Sequence, residues 1–279
     1  MAMGKHFYYA YFLIKRLLAQ LLASIAAVFT RLGLKVLASG PVPAHIAIIM
    51  DGNRRFASRS RIDKRSGHVL GYERLIQTLD SCLKLGVKIV TVYAFSIENF
   101  QRSPAEVSDL MELLQDKLDH LVSKEQLVRS YDVQVRILGD LSLLPKGVRE
   151  SAERAMLATN NNKSTVLNVC IAYTSTHEIV QAIQKIMDER TQDQPHDKFI
   201  TKEEIDRNLY TGLCPPPDIL LRTSGETRLS NYLLWQCSNS YMCFCNALWP
   251  EFSFWHLSWM ILKYQRAYPF LPRQQRPSF

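Results

Sequence analysis

Three short segments concentrate the side chains able to do chemistry. They are Asp51-Gly52-Asn53-Arg54-Arg55, Ser96-Ile97-Glu98-Asn99-Phe100-Gln101-Arg102, and the run from Arg222 through Thr223, Ser224, Gly225, Glu226, Thr227, Arg228, Leu229 and Ser230 to Asn231. Each brings arginines together with hydroxyls or amides, and the first adds an acid. Forked guanidiniums and backbone N–H groups match phosphate oxygens. Asp51, closely followed by Arg54 and Arg55, suits a Mg²⁺ that keeps its waters and bridges phosphate oxygens. An aspartate after a strand is more often a turn or cap residue; Asn53, Arg54 and Arg55 behind it favour metal and phosphate. There is no GxGxxG, GxxxxGK or GxSxG pattern, so a dinucleotide site, a P-loop and a nucleophile elbow are all unsupported. Six cysteines show neither CxxC nor a Cys/His zinc spacing, and read as reduced thiols; Cys243 and Cys245 form a lone CxC, weak evidence for metal.

Five near-continuous apolar runs must position these segments. His45–Met50, Val87–Phe95, Val133–Leu138, Val166–Tyr173 and Asp218–Arg222 have the Val/Ile/Leu content of parallel strands buried on both faces. Helical stretches alternate with them. Ser103-Pro104-Ala105-Glu106 is a capping box with proline at the first helical position, followed by an apolar stripe of Val107, Leu110, Met111, Leu114, Leu118, Leu121 and Val122. Ser175–Glu189 and Thr201–Leu209 read as two more helices. The expected fold is α/β: a single domain with a central, mostly parallel sheet flanked by helices, preceded by an N-terminal amphipathic or hydrophobic helix. In such sheets ligands bind beyond the carboxyl ends of strands, where the first, second and last runs place the three segments.

Composition is ordinary for a folded protein: 279 residues, 47% hydrophobic and 22% charged. A net charge of +8 invites a nucleic-acid reading, but its distribution does not support one. Residues 1–40 carry +5 (Lys5, Lys15, Arg16, Arg31, Lys35) and residues 252–279 carry +4 (Lys263, Arg266, Arg273, Arg276), both without an acid. The body is near neutral and holds no nucleic-acid reading motif. From Phe7 to Leu37 the chain is apolar and aromatic, yet its uncharged run, Leu17–Thr30, is 14 residues, short of the roughly 20 that span a bilayer. A cleaved signal peptide, a buried helix, a single membrane anchor and a membrane-surface helix compete. The absence of acids favours the surface helix on an anionic leaflet.

Five motifs in order give a more specific reading. MDGNRR at Met50–Arg55, GHVLGY at Gly67–Tyr72, YAFSIENFQR at Tyr93–Arg102, RTSGETRLSNYLLWQ at Arg222–Gln236 and ALWPEF at Ala247–Phe252 resemble the cis-prenyltransferases, relatives of undecaprenyl and dehydrodolichyl diphosphate synthases, and most nearly their eukaryotic dolichol- and rubber-type branch. The resemblance spans about 41–266, the expected catalytic domain, leaving 1–40 as a membrane-associating segment and 267–279 as a tail. It implies elongation of an allylic diphosphate, farnesyl diphosphate foremost, by successive isopentenyl diphosphate units, each adding a cis double bond. It assigns Asp51 to Mg²⁺ and to departure of the diphosphate. Gly52, Asn53, Arg54, Arg55 and His68 fall to the allylic diphosphate, and Arg102 to a further diphosphate contact. Asn99 and Ser96 stand near the isopentenyl proton; Arg222, Arg228 and Ser230 form the isopentenyl diphosphate clamp. Asn99 also reads as a simple turn cap, and Glu98 and Glu226 as ion-pair partners of the arginines.

Two departures qualify the match. Lys64 stands where the family's arginine is expected, keeping the charge without the fork. Self-sufficient members carry a metal-binding glutamate 15 positions after that of RTSGE; here that position is Tyr241. The terminus also lacks the RxG signature by which partner subunits complete the site. The resemblance therefore implies the catalytic subunit of a hetero-oligomer with a Nogo-B-receptor-like partner, at the cytosolic face of the endoplasmic reticulum membrane. The alternative is a non-catalytic stabilising or localising subunit, against which the complete phosphate-binding set argues. Trp235, Trp249, Trp255 and Trp259 read as core or interface residues.

Overall fold

Apolar runs line up side by side in a six-stranded sheet of order β3-β4-β2-β1-β5-β6, seen in a computed structural model that describes residues 15–16, 28–123, 126–193, 199–212 and 214–272. The strands are β1 (His45–Ile49), β2 (Ile89–Ser96), β3 (Val133–Leu138), β4 (Thr165–Tyr173), β5 (Ile219–Arg222) and β6 (Tyr241–Phe244). Every pairing is parallel. Central β1 is buried along its whole length. Ile46 and Ile48 enter the larger core cluster, Ala47 and Ile49 the smaller one with Tyr173 and Tyr232.

The alternation of strand and helix thus holds, with corrections. β6 was not anticipated: it is a four-residue edge strand, half-exposed, and too short to print an apolar run. β2 begins at Ile89 rather than Val87, because the N–H groups of Lys88 and Ile89 both turn to the Ala44 carbonyl, 2.9 Å away. Helix α2 (Asn53–Ser60) leaves the end of β1, and α3 (Lys64–Leu85) follows, its N-cap Asp63 accepting from Ser66 N at 2.8 Å. A Cβ at Gly67 would stand 2.8 Å from Asn53 O, and one at Gly71 would collide with Asn53 Oδ1. Only glycine lets α3 lie this close beneath the Asp51 loop. The predicted helices appear as α4 (Pro104–Ser123), α7 (Ser175–Asp193) and α8 (Lys202–Asn208), joined by α5 (Gln126–Ser130), α6 (Lys146–Thr159) and α9 (Phe254–Ala267).

Residues 28–38 are helical (α1). Gly33 meets the Phe254 ring of α9, and Gln265 Nε2 donates to Leu37 O at 2.7 Å. The rest of the membrane-surface segment, 1–14 and 17–27, and the end of the tail, 273–279, lie outside the described residues. Among the described residues no helix is long and apolar enough to cross a membrane.

Candidate active site

Parallel register places Ile49 of β1 beside Tyr93 of β2 and Arg222 of β5, so the three segments leave the sheet at one edge. There they enclose a cavity of about 810 Å³. All twelve expected residues line it: Asp51, Gly52, Asn53, Arg54, Arg55, His68, Ser96, Asn99, Arg102, Arg222, Arg228 and Ser230. Its far end is apolar, walled by Leu110, Leu113, Leu114, Leu118 and Leu121 of α4 against Leu167, Val169 and Ile171 of β4. Apart from Leu113, these residues also pack with the core, whereas Val107 and Met111 of the expected stripe pack there without lining the cavity; the Val122 side chain lies outside the described residues.

The loop after β1 is held from several sides. Gly52 has φ 110°, and a Cβ there would lie 3.0 Å from Leu248. Trp249 N donates to Asp51 O at 3.0 Å, while its indole Nε1 donates to Gly71 O at 2.8 Å. Thr223 Oγ1 accepts from Asp51 N at 3.0 Å. Arg222, only 3% exposed, reaches Asp51 Oδ2 at 2.8 Å and Ser230 Oγ at 2.7 Å, and also donates to Arg228 O. Its Nε and the Asn53 Oδ1 are buried polar atoms without a protein partner. Arg55 lies 3.3 Å from both Asp51 Oδ1 and Glu226 Oε1 and bonds the Ser224 hydroxyl. Glu226 also pairs with the exposed Arg228.

Electrostatics follow from this packing. Burial alone would raise the Asp51 pKa, but the hydrogen bond and charge of Arg222, aided by Arg55, lower it, so the carboxylate is anionic. His68 is pushed down to about 4, chiefly by burial and then by Arg102 and Arg54, and is a neutral imidazole at pH 7. Ser96 and Asn99 close on each other: Ser96 Oγ accepts from Glu98 N at 3.1 Å, and Asn99 Oδ1 accepts from Ser96 N at 3.2 Å. The turn-cap reading of Asn99 therefore holds, and the residue faces the cavity as well. A polar end with converging cations beside a leucine-lined end can bind phosphate groups joined to a hydrocarbon chain.

The prenyltransferase family model described as undecaprenyl diphosphate synthase matches residues 49–269. The chain belongs to this family. A dehydrodolichyl diphosphate synthase of Solanum lycopersicum is 44% identical, over 87% of this chain and 91% of that protein. A subunit of the human dehydrodolichyl diphosphate synthase complex is 45% identical over 85% of this chain and 72% of that one. The crystal structure of lavandulyl diphosphate synthase from Lavandula x intermedia, in complex with dimethylallyl diphosphate, superimposes with a TM-score of 0.74 at 31% identity, covering 80% of this chain and 95% of that one. The chain is accordingly a prenyl-transferring enzyme of the cis-elongating class.

Two residues of this prenyltransferase site were not anticipated in their roles. Trp249 anchors the Asp51 loop, which nothing in ALWPEF announces locally. Glu106, expected as a capping residue, donates its N–H to Ser103 Oγ (3.4 Å) but sends its carboxylate to Arg54, Lys64 and Arg102. The glutamate expected of self-sufficient members is replaced by Tyr241, which opens β6 with its ring centroid 6.3 Å from that of Tyr264. No cluster of three or more metal-ligating side chains occurs among the described residues.

Proposed function

We propose that the chain condenses isopentenyl diphosphate repeatedly onto farnesyl diphosphate, as the catalytic subunit of a hetero-oligomer. The observation that carries this reading is the single cavity: twelve site residues at its polar end and a leucine wall at the other. Gly52, Asn53, Arg54, Arg55, His68 and Arg102 hold the allylic diphosphate, while Arg222, Arg228 and Ser230 hold the isopentenyl one. Breaking the allylic C–O bond leaves negative charge on the departing pyrophosphate, facing guanidiniums gathered at the polar end of the cavity. The allylic C1 joins the terminal carbon of the isopentenyl unit, which loses a proton. A neutral amide is a weak base, so Asn99, held by Ser96, orients the isopentenyl diphosphate beside that proton.

Asp51 is the residue that would hold Mg²⁺. One anionic carboxylate fits a cation that takes its other ligands from water and substrate phosphate, and the bound ion would neutralise charge on the leaving group. Completion of the site by a partner is supported by Tyr241 in place of the family glutamate and by the relatives named as complex subunits. We assign the partner to the Nogo-B-receptor-like class. The acid-free, apolar residues 1–40 support attachment to the cytosolic face of the endoplasmic reticulum membrane; loss of microsomal co-sedimentation on their deletion is the expected outcome.

The deciding experiment supplies farnesyl diphosphate, labelled isopentenyl diphosphate and Mg²⁺ to the chain alone and with its partner. Long polyprenyl diphosphate is expected only from the pair, and Asp51→Ala should abolish it. Full activity of the isolated chain would overturn the heteromer, and activity surviving Asp51→Ala would overturn the metal assignment.

A further inference from the structure

Three cations lining the phosphate end of the cavity share one carboxylate that stands behind them. Glu106, in the first turn of α4 and with 13% of its side chain exposed, lies 3.3 Å from Arg54 Nη1, 3.2 Å from Arg102 Nη1 and 2.9 Å from Lys64 Nζ. Arg54 and Lys64 are otherwise solvent-facing, and their stems are long enough to swing between α4 and the cavity. Lys64 is also the residue that departs from the family's arginine. A lysine has three donors and no fork, so its bond to Glu106 takes one donor, and part of its charge, that it could offer a phosphate.

Each condensation transfers the allylic group to isopentenyl diphosphate and releases one pyrophosphate and one proton. The released pyrophosphate sits among Arg54, Arg55 and Arg102 and must leave before the lengthened chain can react again. Release strips charge-assisted hydrogen bonds from several cations at once, and such bonds are the strong ones. A built-in carboxylate lowers that cost by giving the cations another partner.

We infer that Glu106 is an internal competitor for the product: it takes over Arg54, Lys64 and Arg102 as pyrophosphate departs, and so resets the site between elongation cycles. This rests on the elongation reading above. Glu106 touches no reacting atom and acts through the cations, so it is a positioning residue whose removal should strengthen pyrophosphate binding.

The test titrates inorganic pyrophosphate, with Mg²⁺, into the full chain together with its partner, in wild type, Glu106→Gln and Glu106→Ala. Both variants should bind pyrophosphate about tenfold more tightly, as expected when one charged competitor is removed. Pyrophosphate should inhibit them at correspondingly lower concentration, and steady-state elongation should slow more than the first condensation. A folding defect would weaken binding, so a gain in affinity separates competition from structural damage. Unchanged or weaker pyrophosphate binding in both variants overturns the inference and makes Glu106 a residue that holds the arginines ready for substrate, with elongation itself still intact. A wild-type complex that forms no product overturns the elongation reading as well.

Discussion

Arg222 and Asp51 meet at 2.8 Å with the guanidinium almost wholly enclosed. Arg222→Met would leave Asp51 facing the cavity without its main counter-charge, and should cost about 2 kcal/mol of stability, less than a fully buried pair because Asp51 keeps some solvent. Urea unfolding would measure this, and an unchanged midpoint would refute it. His45 gives a pH dependence instead. It is enclosed at the start of β1, with Nδ1 2.7 Å from Pro215 O and Nε2 2.7 Å from Thr91 Oγ1; burial pushes its pKa to about 4, against the opposing pull of the Pro215 carbonyl. Between pH 6.5 and 4 the unfolded chain binds a proton that the native one refuses. Stability should therefore fall as pH drops through that window, by up to about 3 kcal/mol from this residue, with His68 acting in the same direction. Unfolding curves at about pH 7, 5.5 and 4.5 test it, and His45→Gln should flatten the slope. At this scale the site was legible wherever a residue's type suggested a ligand: the arginines that suit phosphate and the aspartate that suits a metal do line one cavity. Glu106 was not, because Ser103-Pro104-Ala105-Glu106 already had a local explanation; only the meeting of α4 with α2 and α3 shows where its carboxylate goes.

Elements were readable in proportion to how far one local pattern decided them. β1, β3, β4 and β5 are largely buried and print as aliphatic runs. β6 is an edge strand whose pairing with β5 comes from the sheet and not from its own four residues. The fit of α3 against the Asp51 loop was hidden because it depends on two glycines, Gly67 and Gly71, instead of an apolar stripe. In α4 the helical period showed a continuous face, but not that part of it lines a cavity: Met111 only packs in the core, while Leu110, Leu114, Leu118 and Leu121 pack with that core and line the cavity as well. Leu118→Trp should shorten the product distribution, since added volume at the apolar end displaces growing chain. Chromatography of dephosphorylated products from variant and wild-type complexes would show it; an identical distribution would mean that the chain does not occupy this end.

At the scale of the whole molecule the basic charge divides by location. Among the described residues the two acid-free regions meet where α1 lies on α9, leaving Phe29, Leu32, Trp255 and Trp259 exposed. The near-neutral body instead concentrates arginines around one cavity. Strand order adds a consequence for how this protein is made. Central β1 leaves the ribosome early, yet one of its two neighbours is β5: Ile46 pairs with Ile219. At ordinary translation rates of about 5–20 residues per second, that neighbour arrives on the order of ten seconds or more after β1. Until then a strand edge that is apolar from Ile46 to Ile49 is open, and Asp51 waits for Arg222. The nascent chain should thus be a chaperone client over this interval. Stalled chains ending before and after residue 245 should differ sharply in protease resistance.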